Sequence, residues 1–311
     1  MRHFLSIDDL SMDQIETVLD WTKSIESGWH YCRSMNNKCI SCFFAEPSTR
    51  TRFSFERAMH WLGGRVITAA DASTSSSLKK GESIKDTIRT LGQYSDAIVM
   101  RHPDPNWPEI AREYSRVPVI NAGSGSGEHP TQALLDLHTI RQKWGKVGGL
   151  KVMLSGDMTN GRTVHSLIGL LHMYGCKIFY CPAKIVHGNS VEYLGLPEKY
   201  LRAQPCTMVD VECANDLLKD MDVIYMTRIQ TERMAMNGDM DIRYFAIDER
   251  NVDLIKDEAA ILHPLPRGKE ISPLIDDDPR ADYHERQVRN GLYVRTALLD
   301  YILYGNPIIS P

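Results

Sequence analysis

Six segments of this sequence set cationic or amide side chains immediately after short apolar runs. They are Glu46-Pro47-Ser48-Thr49-Arg50-Thr51-Arg52, Arg101-His102-Pro103, and His129-Pro130-Thr131-Gln132 beyond the glycine-rich Ala122–Gly127. The other three are Gly156-Asp157-Met158-Thr159-Asn160-Gly161-Arg162-Thr163, Thr227-Arg228-Ile229-Gln230 and His263-Pro264-Leu265-Pro266-Arg267. If the apolar runs are parallel strands, these segments lie beyond their carboxyl ends, where open sheets bind ligands. Ser48 has the chemistry of an N-cap, and the free N–H groups behind it face outward with the positive end of the helix dipole. With two hydroxyls and two guanidiniums beside them, they form a phosphate cradle. Taken alone, that loop is also compatible with a solvated, capped helix start. Six such segments in register point instead to a substrate carrying several negative charges.

One segment imitates another chemistry. Gly156 to Thr163 reads G-x-x-x-x-G-R-T, one residue from the P-loop pattern. A nucleotide hydrolase needs lysine where Arg162 stands, because a compact ammonium reaches phosphates that a broad guanidinium fork fits poorly. It also needs an apolar strand ending in a metal-binding Asp, whereas Asp222 precedes its strand. G-x-G-x-x-G is absent.

The elements that position these segments alternate. Candidate strands are Cys39–Ala45, Ala97–Met100, Val117–Asn121, Lys151–Ser155, Lys177–Cys181, Asp222–Met226 and Ala259–Leu262. Several are dense in Val and Ile with little alternation, as strands buried on both faces are. Amphipathic helices lie between them. In Ser48–Leu62, Phe55, Met59 and Leu62 fall at i, i+4 and i+7, and Gly63-Gly64 supplies the stop. Strand alternating with helix predicts an α/β fold, with two domains that are each a mainly parallel sheet flanked by helices. The expected boundaries are 1–135 and 136–287, with the C-terminal helix (residues 288–311) packing back on the first domain.

Bulk composition narrows the class. At 311 residues, 42% hydrophobic and 24% charged, the chain fits two globular domains. The net charge of −4 offers no general attraction to nucleic acid, so an anion site must be built locally. No apolar run approaches the roughly 20 residues of a membrane span. MRHFLSIDDL lacks the n- and h-regions of a signal peptide. Seven scattered cysteines suggest reduced thiols and a cytoplasmic protein. Cys39 and Cys42 form a C-x-x-C, but no second pair follows at metal spacing, so buried strand cysteines are expected. No metal or other cofactor is expected.

Phe44-Ala45-Glu46-Pro47-Ser48-Thr49-Arg50-Thr51-Arg52-Phe53-Ser54-Phe55-Glu56 resembles the carbamoyl-phosphate signature of the aspartate and ornithine carbamoyltransferases. Arg101-His102-Pro103 and His129-Pro130-Thr131-Gln132 resemble further parts of it. Gly161-Arg162-Thr163-Val164-His165-Ser166, Thr227-Arg228-Ile229-Gln230 and His263-Pro264-Leu265-Pro266-Arg267 are similar to the aspartate-binding motifs. The Asn-Asn pair, Ser-Met-Gly loop and His-Cys-Leu-Pro of the ornithine branch are absent. The resemblance runs in order from about Ser6 to Leu303, except that Met234–Tyr244 does not align well with the usual loop.

The resemblance implies that Ser48, Thr49, Arg50 and Thr51 hold the phosphate of carbamoyl phosphate, while Arg101, His129 and Gln132 surround its carbamoyl group. Ser76 and Lys80 match a loop that reaches into a neighbouring subunit's site. By composition Ala72–Glu82 is a mobile lid, though Lys79 and Lys80 also fit an ordinary solvated pair. Arg162, Arg228 and Gln230 would bind the two carboxylates of aspartate, and Pro264 and Leu265 would offer carbonyls to its amine. The product would be N-carbamoyl-L-aspartate, in pyrimidine biosynthesis, formed in an interdomain cleft of a homotrimer with shared sites. A regulatory chain is left open.

The implied chemistry suits these residues. An amine attacks an already activated carbamoyl carbon, so positioning and charge stabilisation are what the protein must supply. Thr51, Arg101 and His129 can donate to the developing oxyanion; Arg50 and Lys80 can stabilise departing phosphate. The proton can pass to the phosphate, so no protein base is required. His129 alone could be a packed helix-start residue, but Gln132 one turn on shares its face. His165 reads as helix packing. Rival readings are a carbamoyltransferase for another amine, which two guanidiniums disfavour, and a non-catalytic homologue, which the complete residue set disfavours.

Overall fold

The structure is a computed structural model that describes residues 3–28, 35–201, 205–234 and 241–305. The chain divides into two compact units, Met1–His138 with Val288–Pro311, and Thr139–Gln287. Both divisions fall inside helices.

In the first unit, α1 (Met12–Glu26) starts at Ser11, which forms a reciprocal capping box with Gln14. Four strands follow: β1 (Cys39–Phe44), β2 (Arg65–Ala69), β3 (Ala97–His102) and β4 (Val119–Ser124). They form one parallel sheet in the order β2-β1-β3-β4. The helices of this unit are α2 (Thr49–Trp61), the single turn α3 (Ala72–Ser75), α4 (Ile84–Tyr94), α5 (Trp107–Tyr114) and α6 (Pro130–Trp144). Phe43, Ile98, Met100, Ile88, Trp107 and Val119 pack in its core. Helix α2 buries Phe55, Ala58 and Met59, and Gly63 ends it at φ +80°.

Two boundaries differ from expectation. Arg101 and His102 close β3 instead of following it, and Ala122–Ser124 belong to β4. A register shift after Met100 lets His102 pair with Ser124, and Asn121 Oδ1 accepts the Gly123 N–H at 2.8 Å. Strand β2 was not visible in the sequence because it is an edge strand with few buried positions.

In the second unit β5 (Lys151–Gly156), α7 (Arg162–Met173) and β6 (Lys177–Pro182) are followed by β7 (Lys184–His187), β8 (Ser190–Tyr193) and α8 (Glu198–Leu201). Next come β9 (Cys206–Met208), α9 (Ala214–Leu217), β10 (Val223–Met226), β11 (Asp241–Arg243) and β12 (Ala260–Leu262); the last helix, α10 (Arg286–Tyr304), belongs from Val288 onward to the first unit. Five strands form a parallel sheet, β12-β10-β5-β6-β9. A separate antiparallel sheet, β11-β7-β8, closes on Ala183, Ile185 and Leu194. That sheet and β9 were not expected; their strands are only three or four residues long.

Each main sheet reverses direction once. The chain steps from β1 outward to β2 and returns to β3 on the other side of β1. It likewise steps from β5 to β6 and β9 before crossing to β10. The gaps β1/β3 and β5/β10 are therefore the topological switch points, where crossover loops diverge and leave a crevice.

Cys39 and Cys42 both lie on β1, three residues apart and so on opposite faces. Burial pushes both thiols up from their ordinary pKa. No group of metal-ligating side chains occurs among the described residues, and no described helix is long and apolar enough to cross a membrane.

Gly156 ends β5 at φ +123°, and a Cβ there would lie 2.1 Å from the Thr227 carbonyl oxygen. Backbone, not a flexible side chain, blocks the space. Gly156→Ala should therefore cost about 2–4 kcal/mol, combining strain with a displaced β10 loop. Urea titration should show a lower midpoint with an unchanged slope, and an unshifted midpoint would contradict this packing.

Candidate functional site

At the β1/β3 switch point, the end of β1 turns through Ala45–Pro47 into α2. The Ala45 N–H donates to the Arg101 carbonyl at 2.8 Å, which ties the turn to the end of β3. Ser48 is the N-cap residue, yet its hydroxyl makes no capping bond. Among the described residues the side chains of Ser48, Thr49 and Arg50 make no hydrogen bond or ion pair. Helix α2 has no acidic residue in its first turn, so its positive end is not neutralised from within. Partial desolvation of the Arg50 guanidinium lowers its pKa, although the residue as a whole reaches solvent.

Arg101 is held by Glu46, Nε to Oε2 at 3.4 Å, with both side chains mostly buried. His129 comes from the loop before α6, where Pro130 occupies the first helical position. Its Nε2 lies 3.4 Å from Thr51 Oγ1 and its Nδ1 lies 3.5 Å from Thr131 Oγ1. The ring is thus steered by one hydroxyl on each side, with the proton position set by the tautomer. Gln132 donates through Nε2 to Asp136 Oδ1 at 2.9 Å. Ser48, Thr49, Arg50, Thr51, Arg101, His129 and Gln132 are thereby gathered at the carboxyl edge of β1, β3 and β4.

Ser76 and Lys80 are not tied to that group. Ala72–Lys80 forms α3 and a following 3-10 turn rather than an open loop, with Ala72 buried beneath it. Ser76 Oγ donates to the Ala72 carbonyl at 2.5 Å and accepts from the Leu78 N–H at 3.2 Å. Lys80 is exposed and makes no hydrogen bond or ion pair among the described residues.

The β5/β10 switch point gathers the second set. Arg162 is the first residue of α7 and is nearly buried. Gln230 donates through Nε2 to the Asn160 carbonyl at 2.7 Å and through its backbone N–H to Asp157 Oδ2 at 3.3 Å. The loop after β10 is therefore sewn to the loop after β5. Arg228 pairs with Glu232 through both terminal guanidinium nitrogens, Nη1 to Oε2 at 2.9 Å. That hydrogen bonding raises the Arg228 pKa and lowers that of Glu232.

Pro264 and Leu265 follow β12, the neighbour of β10. His263 Nδ1 accepts the Leu265 N–H at 2.7 Å, and His263 Nε2 meets Glu270 Oε1 at 2.8 Å. Leu265 has φ +54°, and the Leu265-Pro266 bond is cis. Burial pushes the Glu270 carboxyl up, but hydrogen bonds from His263 and Gly268 outweigh it and leave the pKa below its usual value. Arg267 is engaged by Asp276, Nη2 to Oδ2 at 2.6 Å, and Tyr283 donates to the same carboxylate at 2.6 Å. His165 packs as expected, stacked on Tyr200 at 4.0 Å. Of Met234–Tyr244, residues 235–240 lie outside the described residues.

Sequence reasoning missed the carboxylates behind the cations: Glu46, Asp136, Asp157, Glu232 and Glu270. Two could have been found, since Asp136 and Glu232 stand four residues after Gln132 and Arg228. The others meet their partners only through loops or across strands.

Two sets of donors, each at a sheet's switch point, mark an α/β protein of the kind that binds anionic substrates. Residues 2–142 match the family described as aspartate/ornithine carbamoyltransferase, carbamoyl-P binding domain, and residues 148–302 match the Asp/Orn binding domain. The aspartate carbamoyltransferase catalytic subunit of Methanothrix thermoacetophila is 42% identical over 312 residues, covering 97% of this chain and 98% of that protein. That of Methanopyrus kandleri is 40% identical over 316 residues, covering 98% of each. Among solved structures, aspartate transcarbamoylase of Trypanosoma cruzi with N-(phosphonacetyl)-L-aspartic acid aligns at TM-score 0.82 and 34% identity, covering 96% of this chain and 94% of that one. The chain belongs to the aspartate/ornithine carbamoyltransferase family.

Asp276 gives a pH signature. Its hydrogen bond with Arg267 lowers its pKa from 3.8 to about 2, against some desolvation. A lowered folded-state pKa contributes stability that is complete above the unfolded value and disappears as pH falls through the folded one. The stability gap between wild type and Asp276→Asn should therefore be constant from neutral pH to about 4 and shrink below it. Urea midpoints measured against pH test this, and a gap that widens on acidification would refute the assignment.

Proposed function

We propose that this chain transfers the carbamoyl group of carbamoyl phosphate to the amine of L-aspartate, releasing N-carbamoyl-L-aspartate and phosphate. The observation that carries the reading is the start of α2. Two hydroxyls, a guanidinium and free backbone N–H groups stand there without partners among the described residues, beside the Thr51–His129 pair. In this reading the first unit (1–135 with the C-terminal helix) binds carbamoyl phosphate through Ser48, Thr49, Arg50, Thr51, Arg101, His129 and Gln132. The second (136–287) binds aspartate through Arg162, Arg228, Gln230 and the carbonyls of Pro264 and Leu265.

Arg50 is suited to the phosphate as a planar fork, and Thr51, Arg101 and His129 to the oxyanion that forms on the carbamoyl oxygen. Glu46 keeps Arg101 from swinging away, and Thr51 and Thr131 do the same for the His129 ring. At the aspartate end, Glu232 occupies Arg228 as a carboxylate would, so substrate must share or displace it.

Ser76 and Lys80 belong to the same reaction as donors to a neighbouring copy's site in a homotrimer. Phe53, Trp61 and Ile67 support that assembly: they are 52%, 42% and 51% exposed on α2 and the edge strand β2, in the same unit as this loop. A regulatory chain is compatible with the reading, since the relatives from Methanothrix thermoacetophila and Methanopyrus kandleri are catalytic subunits. A cytoplasmic setting for pyrimidine biosynthesis completes it.

Colorimetric detection of ureido product, with aspartate and ornithine compared, tests the reaction; product from ornithine alone would overturn the acceptor assignment. Arg50→Ala and Lys80→Ala should each lower kcat about a hundredfold or more. Mixing the two inactive variants should restore activity only if sites are shared between copies. Light scattering at three times the chain mass is the accompanying expectation, and a fully active monomer would refute the shared site.

A further inference from the structure

Gln132 lies on the buried face of α6 and is 8% exposed. Its Nε2 donates to Asp136 Oδ1 at 2.9 Å, and Asp136 is 0% exposed. An ionised carboxylate has no hydrogen to give, so it can be met only by the NH2 end of the amide. The other end, Oε1, is turned away from Asp136 and accepts no hydrogen bond from any described residue. A lone glutamine can flip its amide freely, whereas this one is held in one sense.

A buried cation accompanies the carboxylate. Arg295 on α10 is 3% exposed, and Asp136 is the charge that chiefly favours its protonated form. Burial pulls the Arg295 pKa down to about 10, which leaves it charged at neutral pH. Its Nη1 donates to Ser54 Oγ at 2.9 Å, and its guanidinium lies 5.4 Å from the Phe55 ring centre, both on α2. The carboxylate that orients Gln132 thus lies within electrostatic reach of a cation that contacts the helix beginning with Ser48–Thr51.

We propose that Asp136 is a positioning residue that sets selectivity among acyl phosphates. It holds the Gln132 carbonyl oxygen toward the acyl group, where it accepts from the NH2 of a carbamoyl group. A methyl group of the same size offers that oxygen nothing, and a buried acceptor left unpaired disfavours the analogue. The inference rests on the assignment of carbamoyl phosphate to the first unit.

The test compares the KM for carbamoyl phosphate with the inhibition constant of acetyl phosphate, its methyl counterpart, in full-length protein with aspartate as acceptor. In Asp136→Asn the neighbour can present either an oxygen or an NH2, so Gln132 loses its enforced sense. The carbamoyl phosphate KM should rise about tenfold, the acetyl phosphate constant should stay within about twofold, and the aspartate KM should not move. Weakening both acyl phosphates equally, or aspartate as much, would mean general loosening and would overturn the proposal. Gln132→Met leaves the Asp136 and Arg295 charges in place and removes the amide. It should also erase the preference for carbamoyl over acetyl phosphate; a preserved preference overturns the proposal even if Asp136→Asn fails to fold. Folded wild type that forms no carbamoyl product would instead overturn the underlying assignment, and this inference with it.

Discussion

Under the proposed function a doubly charged phosphate must be held on a chain whose own net charge is −4, and this constraint accounts for the design of the first unit. Long-range attraction is not available, so the field has to be made locally from fixed dipoles and a few guanidiniums. The start of α2 does this with N–H groups already aligned by the helix and with no acid in its first turn. Such an end must be placed where a ligand can reach it. The reversal of strand order between β1 and β3 supplies the place, because loops leaving in opposite directions cannot cover it. The second sheet repeats the solution between β5 and β10, with side-chain cations in the leading role.

Carboxylates divide the cations into two kinds. Arg101 has Glu46, Arg228 has Glu232 and Arg267 has Asp276. Arg50 and Lys80 have no such partner among the described residues. A paired guanidinium is fixed in direction but partly neutralised, which suits orienting a substrate carboxyl or a carbonyl oxygen. In the proposed reaction an unpaired one keeps its field for the charge that grows on a departing phosphate. The same layer orients neutral groups: Asp157 fixes the loop of Gln230, and Glu270 and Leu265 together leave the neutral His263 ring with its proton on Nε2. Rigidity at the site therefore comes from acids that need not touch substrate.

How much was legible follows the range of each interaction. All seven expected strands exist, because runs of buried Val and Ile announce themselves locally. Strand β2 did not, since an edge strand that stays exposed has no apolar run. The β7-β8-β11 sheet did not either, because each strand is short and draws its order from the others. The donors of the site were readable as types that follow strands. Their acids were not, because Glu46 and Arg101 or His263 and Glu270 meet through folding rather than spacing. Arg295 was the most visible of the hidden residues, a lone charge inside the apolar stretch Tyr293–Leu299 of α10. Its hydrogen-bond partner Ser54 could be named only once α2 and α10 had both been placed.

The P-loop imitation shows why spacing alone cannot assign a site. In a phosphate nest, successive backbone N–H groups point at the ligand. After β5, the Asn160 N–H is instead taken by Asp157 Oδ1 at 2.9 Å, and Asp157 is itself fully buried. The concavity that would hold a phosphate is filled by the protein's own carboxylate. Gly156 cannot open the loop, because it is wedged against the Thr227 carbonyl. The cation at the start of α7 is Arg162, whose planar fork matches a carboxylate better than a polyphosphate chain. Gly156 thus serves close packing between the β5 and β10 loops, and Gly161 a close approach to the Asp157 carbonyl, rather than a phosphate nest.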